Sequence, residues 1–67
     1  MKQPVLVRFA YSTHYASVID IDVSKLTDIL KFPTEIFGTV DGIRIAIKRE
    51  EYENALKNIE NDRRSTN

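Results

Sequence analysis

Ile36-Phe-Gly-Thr-Val-Asp-Gly-Ile-Arg-Ile-Ala-Ile47 reads as a β-hairpin. Asp41-Gly42 supplies the two positive-φ positions of a tight type I′ turn, which Gly adopts freely and Asp better than most residues. On the second arm Ile43, Ile45 and Ile47 alternate with Arg44, Ala46 and Lys48, the period-2 signature of a strand with one buried face. Gly38 interrupts the first arm, and a glycine inside a strand marks a bulge or the close approach of another part of the chain.

Upstream of the hairpin, Pro4 suits the first position of a strand, where a missing N–H does least harm. Val5, Val7, Phe9 and Tyr11 then alternate with Leu6, Arg8 and Ala10, so a buried face of Val5, Val7 and Phe9 is expected. Ser12-Thr-His14 breaks the pattern with short polar side chains that favour turns. It resumes with Ile19, Ile21 and Val23 on one face and Asp20 and Asp22 on the other, a second strand hairpinned to the first. Ser24 reads as the N-cap of a two-turn helix whose apolar stripe is Leu26, Ile29 and Leu30 and which Pro33 stops.

Downstream the period becomes helical from Arg49, with Tyr52, Ala55, Leu56 and Ile59 at i, i+3, i+4 and i+7. Glu50, Glu51 and Glu53 favour the helix N-terminus, and Glu53 with Lys57 makes a well-oriented pair one turn apart. Residues 61–67 carry no apolar side chain and read as a polar, disordered tail to a single domain over residues 1–60. The expected order is ββαββα. It implies a small α+β domain with a four-stranded, mainly antiparallel sheet and two helices on one face. Ile19, Ile21, Leu30 and Lys31 match Ile45, Ile47, Leu56 and Lys57 at one constant offset, which two similar supersecondary units produce without a duplication.

Composition narrows the function. The chain has 67 residues, no cysteine and one histidine. Disulfides, thiolate zinc sites, cysteine nucleophiles and His-rich metal clusters are thereby excluded. A chain this short buries only about 60% of its unfolded surface, and docking on a larger protein or on itself is a common way to gain the rest. Ten basic and ten acidic residues give a net charge of zero, so no global field draws the chain to nucleic acid or an anionic membrane. The N-terminal residues lead into strand-like sequence without a signal peptide or membrane span, so a cytoplasmic protein is expected.

No nucleophile elbow, phosphate-binding loop, zinc-protease helix or calcium loop is present, and no cofactor is implied. Asp20 and Asp22, expected on one strand face, raise a metal or acid–base site, but Arg8, Arg44 and Lys48 on the same face can neutralise them. Tyr11, His14 and Tyr15 form an aromatic and polar cluster that reads either as a solvated turn or as a contact loop. The outer sheet face shows Leu6, Ala10, Val18, Phe37 and Ala46 among Arg8, Asp20, Asp22, Thr39, Arg44 and Lys48. An apolar patch with a charged rim is the anatomy of a protein interface.

The reading that results is a non-enzymatic protein-binding module, an inhibitor, adaptor or regulator of a larger partner or a self-associating homodimer, of the kind found among phage and mobile-element accessory proteins. Its expected contacts are Leu6, Arg8, Phe37, Thr39, Arg44 and Lys48, with Tyr11, His14 and Tyr15 as a contact loop. The alternative is a small RNA or single-stranded DNA binder using Arg8, Arg44, Lys48, Phe37 and the terminal Arg63-Arg64, with Asp20 and Asp22 on the same face opposing phosphate. A third class is a small or metal-dependent enzyme using Asp20, Asp22 or His14.

Overall fold

The computed structural model describes the backbone of residues 2–65 and the side chains of residues 2–61. Strands β1 (Gln3–Phe9) and β2 (Ser17–Ile21) form the first hairpin. A single 3-10 turn, Val23–Lys25, leads into β3 (Thr27–Lys31), which is followed by β4 (Glu35–Val40), β5 (Ile43–Lys48) and the helix α1 (Arg49–Ser65). All neighbouring strands are antiparallel, in the order β2-β1-β5-β4-β3.

The hairpin at Asp41-Gly42 forms as its residues dictate. Val40 pairs with Ile43 across a two-residue turn, with φ of +49° at Asp41 and +77° at Gly42. Helix α1 starts directly after β5, its first N–H donating to the Thr34 carbonyl at 3.0 Å. Tyr52, Ala55 and Ile59 are buried and Leu56 packs beside them, so the 3.6-residue period does mark the face laid on the sheet. Against it stand Val5 and Val7 of β1, Ile21 of β2, Ile36 of β4, and Ile45 and Ile47 of β5. Phe9 and Ile19 are half-buried at the margin, and Ile43, at the hairpin tip, is 49% exposed.

The expected architecture of four strands and two helices is wrong. Among the described residues there are five strands and one α-helix, because the segment expected as the first helix is the 3-10 turn followed by edge strand β3. Ser24 is not an N-cap here. Asp22 is the cap, accepting from the Ser24 N–H at 3.0 Å and from the Ser24 hydroxyl at 2.5 Å. Thr27, Asp28 and Ile29 are poor helix formers, and β4 needs a second neighbour. A bulge at Asp28, with φ of +51°, shifts the register between Thr27 and Leu30. It breaks the period-2 pattern that would have revealed a strand.

The supposed apolar stripe is thereby dispersed. Leu26 is buried in the core, while Leu30 pairs with Phe37 and is 54% exposed. Pro33 lies in the β3–β4 turn closed by the Phe32 N–H donating to the Glu35 carbonyl at 2.9 Å; its fixed φ suits a turn as well as a helix stop. The two halves of the chain are not equivalent units, since only the second carries an α-helix among the described residues. Helix α1 runs into the segment that composition set apart as a tail, and residues 66–67 and the side chains of 62–67 lie outside the described residues.

Gly38 is explained by close packing. A Cβ there would meet the Leu26 side chain at 3.0–3.4 Å, so glycine on β4 lets the segment after the 3-10 turn lie directly against the sheet.

Candidate functional site

With α1 on one face, the other face of the sheet carries no covering element among the described residues. Period-2 alternation presents Leu6 and Arg8 from β1, Val18 and Asp20 from β2, Arg44, Ala46 and Lys48 from β5, Glu35, Phe37 and Thr39 from β4, and Leu30 from β3. Register aligns them in rows. Arg8, Ala46, Phe37 and Leu30 are successive cross-strand partners over four strands, Arg44 pairs with Thr39, Lys48 with Glu35, and Leu6 with Val18.

Arg8 is the hub of this face. Its guanidinium grips the Glu35 carboxylate with Nη2 to Oε1 at 3.0 Å and Nε to Oε2 at 3.3 Å, and donates from Nη1 to the Ser12 carbonyl at 2.9 Å. Its Cζ lies 5.1 Å from the Phe37 ring centroid, within cation–π range. Arg8 and Phe37 flank Ala46, which is fully buried although it points away from the helix. The face therefore has a small packed centre of its own.

Tyr15 extends the cluster from the β1–β2 loop. Its hydroxyl donates to Glu35 Oε2 at 2.5 Å, and Lys48 Nζ lies 5.3 Å from its ring centroid. Glu35 thus accepts from two side chains, and the Arg8 guanidinium, then the Tyr15 hydroxyl, hold its carboxyl below the usual carboxylate range. Burial pushes the Tyr15 phenol up, and the bond to Glu35 pushes it further. A carboxylate with both oxygens engaged and a lowered affinity for protons is a poor general base. This cluster orders side chains around Arg8.

Beyond that centre the face is apolar and basic. Phe32 meets Phe37 edge-on at 5.5 Å and is 44% exposed. Arg44 lies 5.9 Å from the same Phe37 ring, and its Nη1 donates to the Asp28 carbonyl at 2.5 Å and to the Thr39 hydroxyl at 3.0 Å. Among the described residues the carboxylate ion pair on this face is Arg8–Glu35, so Arg44 and Lys48, set against Asp20 on the edge strand, leave the rim positive by a single net charge. An open groove of about 580 Å³ lies at the corner bounded by Tyr15, Pro33, Glu35, Lys48, Arg49 and Glu53.

The expected contact residues Leu6, Arg8, Phe37, Thr39, Arg44 and Lys48 do share one face, and Phe37 does not turn inward at Gly38. The expected contact loop is divided. Tyr15 joins the face, whereas Tyr11 stacks on Phe9 with centroids 5.9 Å apart, beside the helix-side core. His14 is exposed, and its backbone is held by Ser12 and Ala16.

Asp20 and Asp22 do not form a pair on one face. Asp20 lies on the outer edge strand, and Asp22 leaves the sheet to cap the 3-10 turn. Among the described residues no group of three or more His, Cys, Asp or Glu side chains is placed to hold a metal ion. No helix among them is long and apolar enough to cross a membrane.

Sequence reasoning missed Glu35, Phe32 and Leu30. Glu35 carried a usable signal, because extending the first hairpin arm back by one residue puts Glu35, Phe37 and Thr39 on one face. Comparison of the chain with protein families, with characterised proteins and with solved structures gives no match.

Proposed function

We propose that this chain is a non-enzymatic protein-binding module, an inhibitor, adaptor or regulator, that sets its outer sheet face against an acidic, partly apolar surface of a larger protein. The observation that carries the reading is the row Arg8–Ala46–Phe37–Leu30, extended by Phe32 and rimmed by Arg44 and Lys48, on a face with no covering element among the described residues. Aromatic residues and arginine are the side chains enriched in interface centres. Arg8 is already fixed by three hydrogen bonds and a ring contact, so little side-chain freedom remains to be lost on docking. The positive rim selects a partner with carboxylates opposite it.

The test is capture of a partner by tagged protein, comparing wild type with Phe32→Asp and with Arg44→Glu/Lys48→Glu. Both variants alter exposed or half-exposed positions and should keep the wild-type circular dichroism spectrum. A stoichiometric protein retained by wild type and lost by both variants supports the reading. Equal retention by all three refutes it.

One observation favours nucleic acid as a second reading. With Asp22 turned away to cap the 3-10 turn and Asp20 on the outermost strand, neither carboxylate lies at the centre, where Arg8 and Arg44 lie against Phe37, Lys48 lies against Tyr15, and Glu35 is paired with Arg8. Against base stacking, the Phe37 ring is already engaged by Arg8, Arg44 and Phe32. Binding of a labelled single strand should then fall steeply with salt; no binding at low salt removes this reading.

A further inference from the structure

The sheet has two open edges, and they are not equivalent. β3 is blunted by the Asp28 bulge and ends in Lys31, devices that keep an edge from pairing with another strand. β2 has neither. Its five residues pair with β1 in unbroken register, without Pro, Gly, Lys or a bulge, and Val18 is 65% exposed.

The direction of its free backbone groups follows from the ladder. The Ala10 N–H donates to the Arg44 carbonyl at 3.1 Å, so the even-numbered residues of β1 turn their backbone groups to β5 and the odd-numbered ones to β2. By the alternation of an antiparallel pair, Ser17, Ile19 and Ile21 bond to β1. Val18 and Asp20 therefore direct their N–H and C=O groups outward.

From this we propose that the β2 edge pairs antiparallel with the β2 edge of a second copy of this chain, with the two-fold axis at Val18. The outward groups select the register. An axis at Asp20 sets two carboxylates directly opposite each other, which disfavours it. An axis at Val18 lets the two Val18 residues exchange both backbone hydrogen bonds. It sets each Asp20 N–H opposite the Ala16 carbonyl of the other copy and keeps the two Asp20 side chains at opposite ends of the contact. It also joins Leu6 and Val18 of each copy into one apolar strip across the dimer. The contact is isologous and closes on itself, giving a continuous ten-stranded sheet whose two basic, aromatic faces are presented together. A five-residue edge is far below the roughly 800 Å² per partner of a standard interface, so the dimer is a weak one with a dissociation constant of about 10–100 μM.

Sedimentation velocity on the whole chain over about 5–500 μM tests this, together with amide exchange of the wild type. The expected result is a monomer–dimer equilibrium with the Val18 and Asp20 amides protected at high concentration and exchanging freely at low. Val18→Lys and Val18→Glu each place like charges opposite one another and should weaken dimerisation at least about tenfold. An equimolar mixture of the two should restore a heterodimer. A chain that stays monomeric throughout overturns the proposal, and so does a dimer that persists in Val18→Lys or a mixture that fails to associate. Loss of the dimer in Phe32→Asp also overturns it, because self-association would then run through the outer face. The docking reading is tested by its own variants and stands or falls separately.

Discussion

Replacing Gly38 by alanine probes how the segment after the 3-10 turn is fastened to the sheet. The added methyl would lie 3.0 Å from Leu26 Cδ1 and 3.1 Å from Leu26 Cβ, against a comfortable carbon–carbon separation of about 3.5–4.0 Å. Rotation of Leu26 can move Cδ1 aside but leaves Cβ in place, so the chain around Leu26 must retreat by several tenths of an ångström. Overpacking of this kind costs about 1–3 kcal/mol. Removing a strand glycine returns about 0.5–1 kcal/mol through the unfolded chain. A net loss of about 1–2 kcal/mol is expected, a large share of the roughly 3–10 kcal/mol available to a chain this short.

Urea unfolding followed by circular dichroism reads the effect as a midpoint lowered by about 1–2 M, for a slope near 1 kcal/mol/M. Leu26→Ala alone should cost about 2–5 kcal/mol. In the double variant the two losses should add to less than their sum by at least about 0.5 kcal/mol, because the new methyl fills part of the space the leucine vacates. A Gly38→Ala protein as stable as wild type, or strictly additive losses, would refute the close-packing account.

Glu35→Gln should flatten the acid limb of stability. The Glu35 carboxyl is lowered in the folded state by Arg8 and then Tyr15, so its contribution is complete above the unfolded value of about 4.3 and is lost as pH falls through the lower folded value. Unfolding midpoints between about pH 6 and pH 2 should therefore fall less in the variant than in wild type; parallel curves would refute the coupling. Gly42→Ala should cost about 1 kcal/mol, since φ is +77° with open space around the added methyl, making the loss one of backbone strain. Asp41→Gly at φ +49° should cost much less, and equal losses by thermal unfolding would argue against the type I′ turn. Ile47→Ala, fully buried, should cost about 2–5 kcal/mol, whereas Ile43→Thr at the half-exposed hairpin tip should cost less than about 1 kcal/mol.

The parts of the fold that were legible are those whose cause is local. Asp41-Gly42 specifies its turn through two residues, and α1 declares itself through four apolar positions at helical spacing with glutamates in its first turn. β3 has no such internal cause. All five of its residues are exposed, so neither face imposes a period, and its state is decided by pairing with β4 and by a bulge inserted between Thr27 and Leu30. The spacing of Leu26, Ile29 and Leu30 imitated a helix, yet Leu26 alone of the three entered the core while Leu30 paired with Phe37 on the outer face.

The candidate site divides in the same way. Membership of Arg8, Phe37, Thr39, Arg44 and Lys48 on one face follows from alternation along single strands and was readable. The bond of Arg8 to Glu35 and the arrival of Tyr15 depend on β5 lying between β1 and β4. No pattern within one strand carries that order.

That order has a further effect on how the chain assembles. β3, β4 and β5 succeed one another as a meander and β1 with β2 as a hairpin, so both can form through contacts close in sequence. Their strands pair where β1 joins β5, through Val7–Ile47, Arg8–Ala46 and Phe9–Ile45, residues some forty positions apart, and α1 packs across both. Closing that seam is the step of greatest loop entropy and is expected to set the folding rate. Arg8 reaches across the seam to Glu35 and Phe37, while Val5, Val7 and Ile21 tie the N-terminal hairpin to α1, so weakening the grip of Arg8 should loosen the hairpin on the outer side of the sheet first. The same side chain that shapes the exposed face thus also fastens the N-terminal hairpin to the meander.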